Sequence, residues 1–131
     1  WRDVVRSAMR SFHQVLLDHP AALTLFASRP APSPEAFIAL HRGFRVLLDA
    51  GLNGTDAYGA LNFAVSYVMG HASEAFRGPS LRIFDVGPPA MLNDPNLADF
   101  VGAGKGLSSE ELFEAGLELV LSALSGRYGL A

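Results

Sequence analysis

Cysteine is missing from all 131 residues, which removes disulfides, thiolate metal sites and a thiol nucleophile. That absence fits a reducing compartment, and a cytoplasmic protein is expected. Basic charge is scarce, with ten Lys and Arg against thirteen Asp and Glu and a net charge of −3. Such a segment does not itself grip nucleic acid, because neutralising phosphates needs a clustered basic face. No apolar run approaches the roughly 20 residues of a membrane helix, and the first residues do not read as a signal peptide. Repeats and low-complexity tracts are also missing.

Half of the residues are hydrophobic, so the chain can bury a core and disorder is not expected. Its length suits one domain over 1–131. The chain opens at Trp1, without a methionine and already in a helical pattern, so an N-terminal part is expected to precede it.

Helical periodicity is clearest at the start. Val4, Val5, Ala8, Met9, Phe12, Val15 and Leu16 recur at helical spacing, with Arg2, Asp3, Arg6, Arg10 and Gln14 on the other face. His19-Pro20 ends this helix, and Pro20 opens a short second one carrying Ala21, Ala22, Leu25 and Phe26. The prolines at 30, 32 and 34 stop it. Ser33-Pro34-Glu35 then reads as N-cap, first-turn proline and acidic first turn of a third helix. That helix is expected to bury Phe37, Leu40, His41, Phe44, Leu47 and Leu48 and to end at a left-handed Gly51. A fourth helix starts near Asn53, with Asp56 in capping-box position, and runs to about Phe76. Residues 79–107 lack a sustained period and read as a long loop with a helical turn around Leu97 to Val101. Ser108 and Glu111 form another capping box, opening a last helix that runs to about Leu124. The fold class is therefore all-α, with about five to six helices.

Two of these helices imply a partner. Between Ala57 and Met69 the fourth helix has only Asn62 and Ser66 as strongly polar residues. The last helix confines Glu110, Glu111, Glu114, Glu118 and Ser122 to one narrow stripe, which reads as a solvated face. A helix that is apolar nearly all round must be covered nearly all round. A two-fold copy would close an intersubunit four-helix bundle from both helices of each protomer. Its expected contacts are Tyr58, Leu61 and Val65 with Phe113, Gly116, Leu117, Val120 and Leu124. Gly59, Gly70 and Gly116 would permit close approach. The alternative is an internal hairpin in a monomer.

Chemistry is sparse. No histidine pair sits at i,i+4 with a third ligand, so no local metal motif is present and no metal or cofactor is expected. His41 and His71 read first as core histidines. No nucleophile elbow or acid–base constellation occurs, and catalysis is not expected. The Gly102-Ala103-Gly104-Lys105-Gly106 segment lacks phosphate-loop spacing and reads as a connection. Aromatics are more informative: Phe12, Phe26, Phe37, Phe44, Phe63 and Tyr67 come from four helices and either fill a core or line an apolar cavity.

Several strings together resemble the C-terminal regulatory domain of the tetracycline-repressor family. They are Trp1-Arg2-Asp3, Ser11-Phe12, Leu16-Leu17-Asp18-His19, Ala27-Ser28-Arg29-Pro30, Asp49-Ala50-Gly51-Leu52, Tyr67-Val68-Met69-Gly70 and Phe113-Glu114-Ala115-Gly116-Leu117-Glu118-Leu119. The resemblance implies a homodimeric effector-binding domain that follows a helix-turn-helix head, so DNA would be contacted only through that head. It also implies that the fourth and last helices form the dimer bundle. Phe12 matches a ligand-contacting aromatic, Ser28 the place of a threonine near the ligand's metal, and Arg29-Pro30 the turn that moves on induction. Leu25 or Phe26 replaces the metal-ligating histidine, and Ala8 and Gly43 replace two amide side chains. Chelation and polar orientation are thereby lost, which points away from tetracycline toward a small apolar or aromatic effector. Phe44 and Phe63 are candidate lining residues, with His41, Tyr67 and His71 as polar contacts. A helical dimerisation or scaffold module without a ligand is the alternative, and an all-α enzyme is a third.

Overall fold

Proline and capping chemistry place the helix boundaries in the computed structural model, which describes residues 1–28, 33–76, 94–95, 99, 102–103 and 106–131. Among these residues lie five helices and no strand: α1 (Arg2–Asp18), α2 (Pro20–Ser28), α3 (Pro34–Asp49), α4 (Gly54–Ala75) and α5 (Ser109–Tyr128). The expected turn around Leu97 to Val101, Arg29, and most of the loop over 79–107 lie outside the described residues.

The caps explain why each helix starts where it does. The hydroxyl of Ser33 accepts from the Ala36 amide at 3.3 Å, and Pro34 follows at the first helical position. Asn53 Oδ1 accepts from the Asp56 amide at 2.9 Å. Asp56 does not close a reciprocal box; its carboxylate instead accepts from Asn53 Nδ2 at 2.6 Å. Ser108 and Glu111 do complete one, through bonds of 3.1 Å and 2.7 Å. Gly51 adopts φ +110°, as the stop after α3 requires. The last helix runs past its expected end, through Gly126 to Tyr128, and stops at left-handed Gly129 with φ +63°. Gly126 is tolerated inside it because α5 is already held by packing on both sides of that point.

Helix α4 is the axis of the packing, and α1, α3 and α5 all lean on it. Its buried face is Ala57, Ala60, Ala64, Val68 and Ala72, and such small side chains let neighbouring helices approach closely. Leu16, Val68, Leu117 and Leu121 are fully buried at the centre. The buried stripe of α1 is Met9, His13 and Leu16, so it is rotated from the expected one and leaves Val4 and Val15 half exposed. On α3, Leu47 is buried while Phe37 and His41 are exposed, contrary to expectation. The reason is geometric: α3 packs on α4 through its C-terminal half. There Gly43 lies so near Leu61 that a Cβ would meet its Cδ1 at 3.1 Å.

The glutamate stripe of α5 is not a free solvated face. Arg10 grips Glu114 with two bonds of 2.7 and 2.5 Å, and Arg6 reaches Glu118 at 2.6 Å. Arg2 also binds Glu118 and donates to Ser125 Oγ at 2.8 Å. At the same corner the Trp1 indole donates to the backbone oxygen of Ala131 at 2.7 Å, tying the two ends of the chain together.

Candidate functional site

The polar centre of the domain is built where α1, α4 and α5 meet. His13 comes from the buried stripe of α1, Tyr67 and His71 lie one turn apart on α4, and Phe113 comes from the first turns of α5. His13 is 8% exposed and is the sole buried polar residue among those described. Its ring lies flat on Phe113, with centroids 3.9 Å apart and planes 8° from parallel. Its Nε2 faces Nδ1 of His71 at 3.0 Å. The Tyr67 hydroxyl donates to the Phe113 carbonyl at 2.8 Å, and the two rings stack at 5.7 Å. Gly116 makes room for that phenol, since a Cβ there would fall 2.7 Å from Tyr67 Cζ.

Electrostatics follow from this burial. Desolvation pushes His13 below the usual histidine value, and the neighbouring His71 adds to the effect against an opposing Glu114. Burial likewise lowers His71, against Glu74 and a backbone hydrogen bond to Ser109. Tyr67 is raised by burial and then by Glu114 and Glu74. Burial thus favours the neutral form of both imidazoles. A groove of about 890 Å³ opens beside His13, lined by Arg10, Gln14, Leu17, Ser109, Phe113 and Glu114 among others.

The other expected ligand contacts are dispersed. Phe12 is half-buried and meets Phe26 edge-on at 5.6 Å. Phe44 is half-buried against the core, and exposed His41 lies 6.5 Å from its ring. Ser28 is exposed and its hydroxyl donates to the Thr24 carbonyl at 2.7 Å. Arg29 is outside the described residues. Phe63 is 56% exposed on the outward side of α4. The structure thus joins Tyr67 to His71, while Phe63, one turn before Tyr67 on α4, lines a separate shallow groove with Ala123 and Tyr128.

The expected dimer contacts divide in the same way. Phe113, Leu117, Val120 and Leu124 are buried inside the chain itself, Leu61 packs toward Gly43 of α3, and Gly116 is taken up by Tyr67. Val65 is half-buried and Tyr58 is 67% exposed. The outward apolar face instead carries Leu119, at 72% exposed, with Leu112, Ala115 and Ala123 on α5 and Gly59, Phe63 and Gly70 on α4. A shallow groove of about 170 Å³ between Gly59, Phe63, Ala123 and Tyr128 continues that face.

A family model described as "Tetracyclin repressor-like, C-terminal domain" matches residues 1–128. The chain belongs to that family. Among curated proteins, one named "HTH-type transcriptional regulator" from Saccharopolyspora erythraea is 34% identical over 73 residues, covering 56% of this chain and 31% of that protein. The chain thus matches about a third of that relative's length. No solved structure matches it.

Within this tetracyclin repressor-like domain, sequence reasoning missed His13 and Phe113 as parts of one site. A signal was present: Met9, His13 and Leu16 fall at i, i+4 and i+7, the spacing of one helix face. Among the described residues no group of three His, Asp or Glu side chains gathers to hold a metal ion. No described helix is long and apolar enough to cross a membrane.

Proposed function

We propose that this chain is the effector-sensing and homodimerisation domain of a tetracycline-repressor-type transcriptional repressor acting in the cytoplasm. The outward face of α4 and α5 carries the reading. Phe63, Leu112 and Leu119 are exposed there beside Gly59, Gly70, Ala115 and Ala123, and large exposed apolar patches mark interfaces. A two-fold partner laying the same face against it forms a four-helix bundle with small residues at the crossing. The bundle is the fixed frame.

A small apolar or aromatic effector is sensed on the other side, by the helices that lean on α4. Phe12 and Phe44 supply apolar surface, while Tyr67 and His71 supply polar contacts at the α1–α4–α5 junction. Ser28 ends α2, and the Arg29-Pro30 sequence after it is the part that matches the family's moving turn. An effector that binds one arrangement of these helices better shifts the spacing of the DNA-binding heads and relieves repression. DNA is contacted only through those heads.

Light scattering across a dilution series tests the frame: a dimer mass is expected, and a concentration-independent monomer mass overturns it. A thermal-shift screen of apolar aromatic compounds tests the sensor, with saturable stabilisation expected. A dimer that no such compound stabilises is a scaffold module instead. A native gene without a basic helix-turn-helix segment ahead of Trp1 overturns the repressor reading.

A further inference from the structure

We propose that His13 and His71 form a bis-imidazole site for a divalent transition-metal ion such as Zn²⁺ or Co²⁺, completed by water from the adjoining groove. Three observations lead there. The facing nitrogens, His13 Nε2 and His71 Nδ1, are 3.0 Å apart. Imidazole nitrogens bind Zn²⁺ at about 2.0–2.1 Å, so two cis ligands stand roughly 3–3.4 Å apart. The rings have to turn until both lone pairs converge on an ion in place of their shared hydrogen.

The second observation is the outer shell. The Ser109 backbone acts on His71 with the sign that favours a cation, and an outer-shell group of this kind steadies a ligating histidine. His13 is held flat against Phe113, and whichever facing nitrogen carries the shared proton, moving it to the other nitrogen of the same ring frees the second lone pair without any net proton loss.

The third is the field and the access. Burial favours the neutral form of both rings, the form a metal ligand must take, while Glu114 acts on His13 and Glu74 on His71 with the sign that favours a cation. Glu110 and Glu114 line the groove beside His13, and Arg10 is already committed to Glu114. The site has two protein ligands rather than three, in keeping with the lack of a larger donor cluster among the described residues, and the groove reaches it on the His13 side. The two histidines are 58 residues apart in sequence, so local spacing does not reveal them.

The experiment titrates Co²⁺ and Zn²⁺, each alone, into the protein near neutral pH. It follows the visible absorption of Co²⁺ and the ring-nitrogen NMR shifts of all four histidines. One saturable equivalent is expected, with shifts at His13 and His71 but not at His19 or His41. His13→Gln and His71→Gln should each weaken binding by about tenfold or more, whereas His41→Gln should not. Absence of saturable binding at millimolar metal overturns the proposal. So do shifts confined to His19 and His41, or binding unchanged in both His13→Gln and His71→Gln. The wild-type NMR readout decides the matter even where a substitution unfolds the chain.

Discussion

Gly116 and Tyr67 show how a single missing side chain shapes the centre of the domain. A Cβ at 116 would lie 2.7 and 2.8 Å from the phenol ring, inside any real contact. Gly116→Ala should therefore destabilise the fold by about 1–3 kcal/mol, as overpacking does. Urea unfolding would measure it. Combining the change with Tyr67→Leu should give less than the sum of the two losses, because the second removes the ring the first collides with. By contrast, Leu121→Ala, at a fully buried position, should cost about 2–5 kcal/mol through the cavity left behind. Such positions were partly legible in the sequence. Leu16 sits on an expected apolar face, whereas His13 was hidden by its polarity. Phe37 and His41 misled because periodicity marks a face without saying how far along the helix the neighbour extends.

At the scale of elements, the junction of α1 with α5 and α4 makes stability depend on pH. His13 and His71 lie below their ordinary value of 6.5 in the folded chain, so the unfolded chain binds more protons as acid is added. Stability should be full above pH 6.5 and fall as the pH drops through the folded values. The urea midpoint measured over that range would show the slope, and replacing both histidines with glutamine should flatten it. A further loss belongs to the carboxylates. Glu114 and Glu118 are held below the usual 4.5 by their arginine partners, so their contribution disappears only in stronger acid. Glu118→Gln should lower stability by an amount that shrinks with added salt, as for any exposed ion pair. The helix boundaries of these elements were legible from Pro20, Ser33, Asn53 and Ser108. The α1–α5 ion pairs were not, since 104 residues separate Arg10 from Glu114 and only the tertiary packing aligns their faces.

For the whole molecule, the exposed apolar stripe on α4 and α5 carries the proposed association. Its existence was legible from the scarcity of polar residues, but its phase was not. Both faces of an all-round apolar helix look alike in sequence, and only packing against α1 and α4 assigns Leu117 and Val120 to the inside and Leu119 to the outside. Leu119→Glu should therefore leave the helical circular dichroism unchanged while converting the dimer to a monomer in light scattering. Leu117→Glu should instead unfold the chain, because it buries an unpaired charge. Observing the reverse pattern would reassign the two faces.

The bond from the Trp1 indole to the Ala131 backbone oxygen has a practical corollary. Any polypeptide joined ahead of Trp1 and any joined after Ala131 leave the domain from the same corner. A fluorophore on the last residue would thus sit within nanometres of whatever precedes the first and serve as a ruler for its movement. Residues 1 and 131 could equally be spliced by a short linker and the domain reopened elsewhere.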